Sequence, residues 1–94
     1  MSPAKKILFV DDDENVLAGL RRMLRPRRSE WDMHFVSSAE EALRVLDGGG
    51  FNVVVSDMRM PGMDGRELLQ QVAQRHPDMV RIILSGQSDR EILL

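Results

Sequence analysis

A chain of 94 residues, 43% hydrophobic and 30% charged, has the size and makeup of one soluble globular domain, with no room for a second. A net charge of −2 provides no overall field to draw nucleic acid or an anionic membrane, and the absence of cysteine excludes disulfides and thiolate metal sites. No stretch nears the roughly 20 apolar residues that span a bilayer, and the apolar run Ile7 to Val10 is too short for a signal peptide, so the chain reads as cytoplasmic.

In chain order, Ile7 to Val10 is a short apolar run and predicts a first, buried strand. Four carboxylates follow at once, Asp11 to Glu14. Val16, Leu17, Leu20, Met23 and Leu24 then recur at helical spacing. Pro26 to Asp32 reads as a basic connection, with Arg21, Arg22, Arg25, Arg27 and Arg28 solvating the end of that helix, favouring its dipole, or meeting a partner protein. Met33 to Val36 predicts a second strand, and Ala39, Ala42, Leu43 and Leu46 a second helix opened by the capping pair Ser38 and Glu41. Gly48 to Gly50 closes it as a C-cap and turn.

Phe51 to Val55 predicts a third strand, followed by Asp57. Asp64 with Glu67 marks the start of a third helix carrying Leu68, Leu69, Val72 and Ala73, which ends at His76-Pro77. Met58, Met60 and Met63 pack the loop between, His34 and His76 carry no chemistry, and Trp31 covers one edge of the core. Val80 to Leu84 is a fourth strand, and Ser88 with Glu91 would open a further helix. Alternating strands and helices imply a parallel sheet sandwiched by helices, joined by right-handed crossovers.

In such sheets ligands bind beyond the carboxyl ends of the strands. Asp11, Asp12 and Asp13 follow the first strand, Asp57 the third and Ser85 the fourth. Two carboxylates about 4 Å apart repel by roughly 4 kcal/mol at an effective dielectric of 20. A hard divalent cation relieves that repulsion, and an all-oxygen cluster without His or Cys favours Mg²⁺ or Mn²⁺. Asp13 and Glu14 are better read as the start of the first helix, where anions suit the positive end of the macrodipole, which leaves Asp11 and Asp12 for the site.

The stretches "ILFVDDDEN", "VVVSDMRMPGMDG" and "RIILSG" resemble the first, third and fourth strand signatures of response-regulator receiver domains of two-component signalling. The resemblance covers the whole chain. It implies a flavodoxin-like, doubly wound sheet of order 2-1-3-4, with the family's fifth strand and last helix missing, so that residues 1–94 form a receiver incomplete at its C-terminus. It implies Asp57 as phosphoacceptor and Mg²⁺ or Mn²⁺ held by Asp12, Asp57 and the backbone carbonyl of Arg59, with Asp11 acting through water. Ser85 matches the switch hydroxyl. The family's lysine has no counterpart, since Lys5 and Lys6 lie at the far end of the first strand, and Gly86 stands where alanine is more usual.

The partner implied is a sensor histidine kinase or phosphotransfer protein, with an output domain beyond Leu94 and no direct contact with nucleic acid or membrane. Such a module is a phosphoacceptor rather than an enzyme. Two rival readings stay open: an interaction module independent of phosphate, and a haloacid-dehalogenase-type phosphohydrolase using Asp11 and Asp13, in which Asn15 replaces the expected hydroxyl. Without a fifth strand, Val80 to Leu84 is expected to be an open edge through which copies self-associate.

Overall fold

A computed structural model describes residues 4–84 together with Ile92–Leu93. Its elements run β1 (Lys5–Val10), α1 (Glu14–Leu24), a 3-10 turn (Arg25–Arg27), β2 (Trp31–Val36), α2 (Ala39–Asp47), β3 (Val53–Asp57), α3 (Gly65–Arg75), β4 (Val80–Leu84) and β5 (Ile92–Leu93). The sheet order is β2-β1-β3-β4-β5, and its first four strands are parallel. This is the doubly wound, flavodoxin-like order 2-1-3-4 expected from the sequence.

The strands are apolar because both faces are in use. Leu8, Val10 and Val54 point to one side and meet Ala42, Leu43 and Leu46 of α2 and Leu68, Leu69 and Val72 of α3 in the main core. On the other side Phe9 stacks on Phe35 with ring centroids 5.1 Å apart, and Leu17 of α1 is buried. The second and third helices start at the caps expected, and the first at Asp13, within the acidic start expected. The Asp13 carboxylate accepts from the Asn15 amide, Ser38 Oγ from the Glu41 amide at 3.1 Å, and the Asp64 carboxylate from the Glu67 amide at 2.9 Å. Gly48 caps α2, and Gly49 and Gly50 turn the chain with φ of 93° and 87°, a region L side chains rarely adopt.

Four expectations change. The connection before β2 is shorter than the polar composition suggests, because Trp31 and Asp32 already pair with Lys5 and Lys6 of β1. Two of the arginines expected to solvate this region lie over aromatic rings: Arg21 of α1 sits 4.8 Å from the Phe35 centroid and Arg27 5.9 Å from that of Trp31. The third strand is displaced two residues onward. Phe51 and Asn52 precede it, Asn52 bridging Lys6 and Val80 by backbone hydrogen bonds, and Ser56 and Asp57 belong to the ladder opposite Ile83 and Leu84. Finally, the β4 edge is not open along its whole length: Ile92–Leu93 pairs antiparallel with Leu84 and Ile83. Backbone donors and acceptors at a sheet edge are satisfied by whatever strand can reach them. The Ser88–Glu91 capping pair lies outside the described residues.

Candidate functional site

The site is built by the ends of β1 and β3, adjacent strands in register from Ile7 opposite Val53 to Val10 opposite Ser56. The next residues, Asp11 and Asp57, therefore emerge side by side. Asp11 is tied down by its amide, which donates to the Val36 carbonyl at 3.2 Å, and by its carboxylate, which accepts the Asp13 amide at 2.9 Å. Asp13 in turn spends its carboxylate on the Asn15 amide at 2.8 Å, as the N-cap of α1. Asp13 and Glu14 thus serve the helix start. A hydrolase pairing of Asp11 with Asp13 would need the carboxylate that caps α1.

Asp11, Asp12 and Asp57 each present a carboxylate oxygen within 4.8 Å of the others. They line a hollow of about 470 Å³ with Asp13, Val16, Arg59 and Leu84. The like charges leave a mark on protonation. Burial pushes the Asp11 carboxyl up from its ordinary value, and Asp57, Asp12 and Asp13 push it further, against the Asp13 amide. The Asp57 carboxyl is likewise raised, by burial first and by Asp12, against the pull of the Met58 and Arg59 amides and the Arg59 guanidinium. An all-oxygen set of three crowded carboxylates, two of them reluctant to ionise, suits a small hard dication. His34 and His76 are elsewhere, 3.1 Å from Asp32 and Asp47 respectively. The lysines are also remote: Lys6 Nζ lies 4.5 Å from the Phe51 centroid and 3.4 Å from the Gly49 carbonyl, at the opposite end of β1.

Two residues without a charge hold Asp57 in place, and neither stands out in the sequence. Ser56 is fully buried, and its hydroxyl donates to the Asp57 carbonyl at 2.9 Å. Gly65, the first residue of α3, packs against that same carbonyl. A Cβ on Gly65 would overlap the Asp57 carbonyl oxygen and stand 3.0 Å from both the Asp57 carbonyl carbon and the Met58 Cα. Its amide donates to the Met58 carbonyl at 2.9 Å, closing the loop from Asp57 to α3. The usable signal was a glycine directly after a helix cap, where a better helix former is normal. Met60 is buried and Met63 packs against the core, so this loop is anchored as expected of its methionines. Ser85 and Gly86 lie outside the described residues.

Comparison with known proteins agrees with this geometry. The family model described as response regulator receiver domain matches residues 7–94. The hydrogenase transcriptional regulatory protein HoxA of Cupriavidus necator is 40% identical over 88 residues, covering 94% of this chain and 18% of that protein. The chain therefore spans under a fifth of that relative's length. Among solved structures, the signal receiver domain of an HD domain-containing protein from Pseudomonas fluorescens Pf-5 superposes with a TM-score of 0.86 at 34% identity, covering 95% of this chain and 64% of that one. TrrA of Thermotoga maritima, solved in complex with Mg²⁺ and BeF, gives 0.80 at 30% identity, covering 89% and 71%. The same response regulator in complex with the histidine kinase ThkA gives 0.79 at 28%, covering 93% and 74%. Carrying the fold, the clustered carboxylates and the family match along nearly its whole length, this chain belongs to the response regulator receiver domain family.

Proposed function

We propose that this receiver accepts a phosphoryl group on Asp57 from a phosphohistidine donor in a reaction that needs Mg²⁺ or Mn²⁺. The observation that carries the reading is the convergence of the Asp11, Asp12 and Asp57 carboxylates within 4.8 Å in one hollow. The Asp12 and Asp57 carboxylates and the Arg59 carbonyl would hold the dication directly, with Asp11 linked through water. Bound there, the cation would neutralise the oxygens of the group being transferred. An Asp57 carboxylate oxygen attacks phosphorus, and the bond from phosphorus to the donor imidazole breaks with its electron pair returning to nitrogen. Ser56 and Gly65 fix the Asp57 backbone, so the nucleophile is presented without reorganisation. Ser85 is the hydroxyl this reading assigns to the acquired oxygens.

The donor is a sensor histidine kinase or phosphotransfer protein in the cytoplasm; TrrA is seen in complex with the histidine kinase ThkA. The phosphorylated form switches an output domain beyond Leu94, and this domain itself makes no contact with nucleic acid or membrane. No helix among the described residues is long and apolar enough to cross a membrane. Intact-protein mass and fluorine resonance measurements with beryllofluoride and Mg²⁺ test the reading. An adduct on the wild type, lost in Asp57→Asn, is expected. Equal behaviour of the two proteins contradicts it.

A further inference from the structure

Among the described residues, Arg59 is the only cation lining the hollow that Asp11, Asp12 and Asp57 share. Its side chain is exposed, and none of the ion pairs among the described residues involves it. The same side chain borders a second hollow of about 610 Å³, shared with Met58, Met60, Pro61, Asp64 and Arg66. Arg59 is therefore a wall between two cavities, with a charge that no carboxylate neutralises at close range. Its field still reaches the acidic cluster and helps keep the Asp57 carboxyl from rising further.

A guanidinium so placed acts in opposite directions on the two ligands this site would receive. It repels a dication, because like charges a few ångströms apart oppose each other even in partly solvated surroundings. It attracts a tetrahedral or trigonal anion, to which its planar fork can donate two parallel hydrogen bonds. The carboxylates alone would do the reverse, holding a cation firmly and rejecting an anion. We propose that the Arg59 side chain is the positioning residue that makes this site favour a dication together with a phosphoryl-type anion over the dication alone. The inference rests on the phosphoacceptor reading above and deepens it. It concerns the side chain, and is separate from the metal-ligand role given to the Arg59 carbonyl, which every substitution at this position retains.

The experiment uses the full chain as wild type, Arg59→Ala and Arg59→Lys. Calorimetric titration with Mg²⁺ alone gives the cation affinity, and titration with beryllofluoride at saturating Mg²⁺ gives the anion affinity. In Arg59→Ala, Mg²⁺ is expected to bind about three- to tenfold more tightly. Beryllofluoride is expected to bind about tenfold more weakly, having lost a charge-assisted pair of donors. Arg59→Lys restores the wild-type Mg²⁺ affinity but only part of the anion affinity, since an ammonium supplies the charge without the fork. Opposed changes cannot come from a general loosening of the loop, which would weaken both ligands. Changes of the same sign, or an anion affinity that Arg59→Ala leaves untouched, overturn the proposal while the phosphoacceptor reading stands. A wild type that takes no beryllofluoride at all refutes that reading, and this one with it.

Discussion

Asp11 and Asp57 keep their protons more readily in the fold than a free carboxyl does, because burial and their acidic neighbours both oppose ionisation. The folded chain thus holds protons that the unfolded chain has already released, and stability falls as pH rises from the ordinary carboxylate range through the raised values. At neutral pH the metal-free fold carries that penalty. Asp57→Asn removes one of the three charges. Its thermal midpoint without metal should exceed the wild type's at neutral pH by about 2–6 °C, the shift that roughly 0.5–1 kcal/mol of screened repulsion produces in a domain of this size. The difference should vanish in acid, where the carboxyls are neutral in both proteins, and reverse in Mg²⁺. Scanning both proteins across pH checks this, and an Asp57→Asn variant less stable at neutral pH without metal contradicts it.

At the scale of elements, the site depends on how closely α3 approaches the end of β3. Gly65 permits that approach, and Gly65→Ala should push Asp57 and Met58 aside. The expected effect is a loss of about 1–3 kcal/mol in stability, as for other overpacked contacts, together with weakened Mg²⁺ binding. Denaturant unfolding and calorimetry read the two effects, and a variant unchanged in both shows that the loop yields without moving the nucleophile. This contact also marks where sequence reading stops. The caps Ser38 and Asp64 were legible because capping is a local contract between a side chain and an amide three residues on, whereas Asp13 read only as part of an acidic helix start. Asp11, Asp12 and Asp57 were legible because each follows an apolar run, and strand ends are where open parallel sheets place their ligands. Gly65 and Ser56 were not. Their roles arise from a neighbour's backbone in three dimensions; the place of Gly65 directly after the Asp64 cap is the one local hint, and nothing separates Ser56 from an ordinary strand serine. Trp31 and Asp32 read as loop in the sequence for a related reason: pairing with β1 overrides a polar, arginine-rich composition.

For the molecule as a whole, alternating elements and handedness implied a parallel sheet covered by helices and the family resemblance implied its order 2-1-3-4, whereas β5 had no sequence signal at all, being two residues long and antiparallel. Among the described residues it covers only Ile83 and Leu84 of the fourth strand, and Val80 is 55% exposed. We propose that copies of this chain associate through the uncovered part of that edge, so light scattering should show mass rising with concentration; a constant monomer mass contradicts it. The proposed function turns on the three carboxylates forming one cation site. The measurement that tests it most directly is the thermal stability of the wild type and of Asp12→Asn as Mg²⁺ is raised from zero. The wild type should gain about 1–3 kcal/mol as the cation approaches saturation, by mass action on the folded state alone, and Asp12→Asn should gain little. A wild-type stability that Mg²⁺ and Mn²⁺ leave unmoved would contradict the account at its centre.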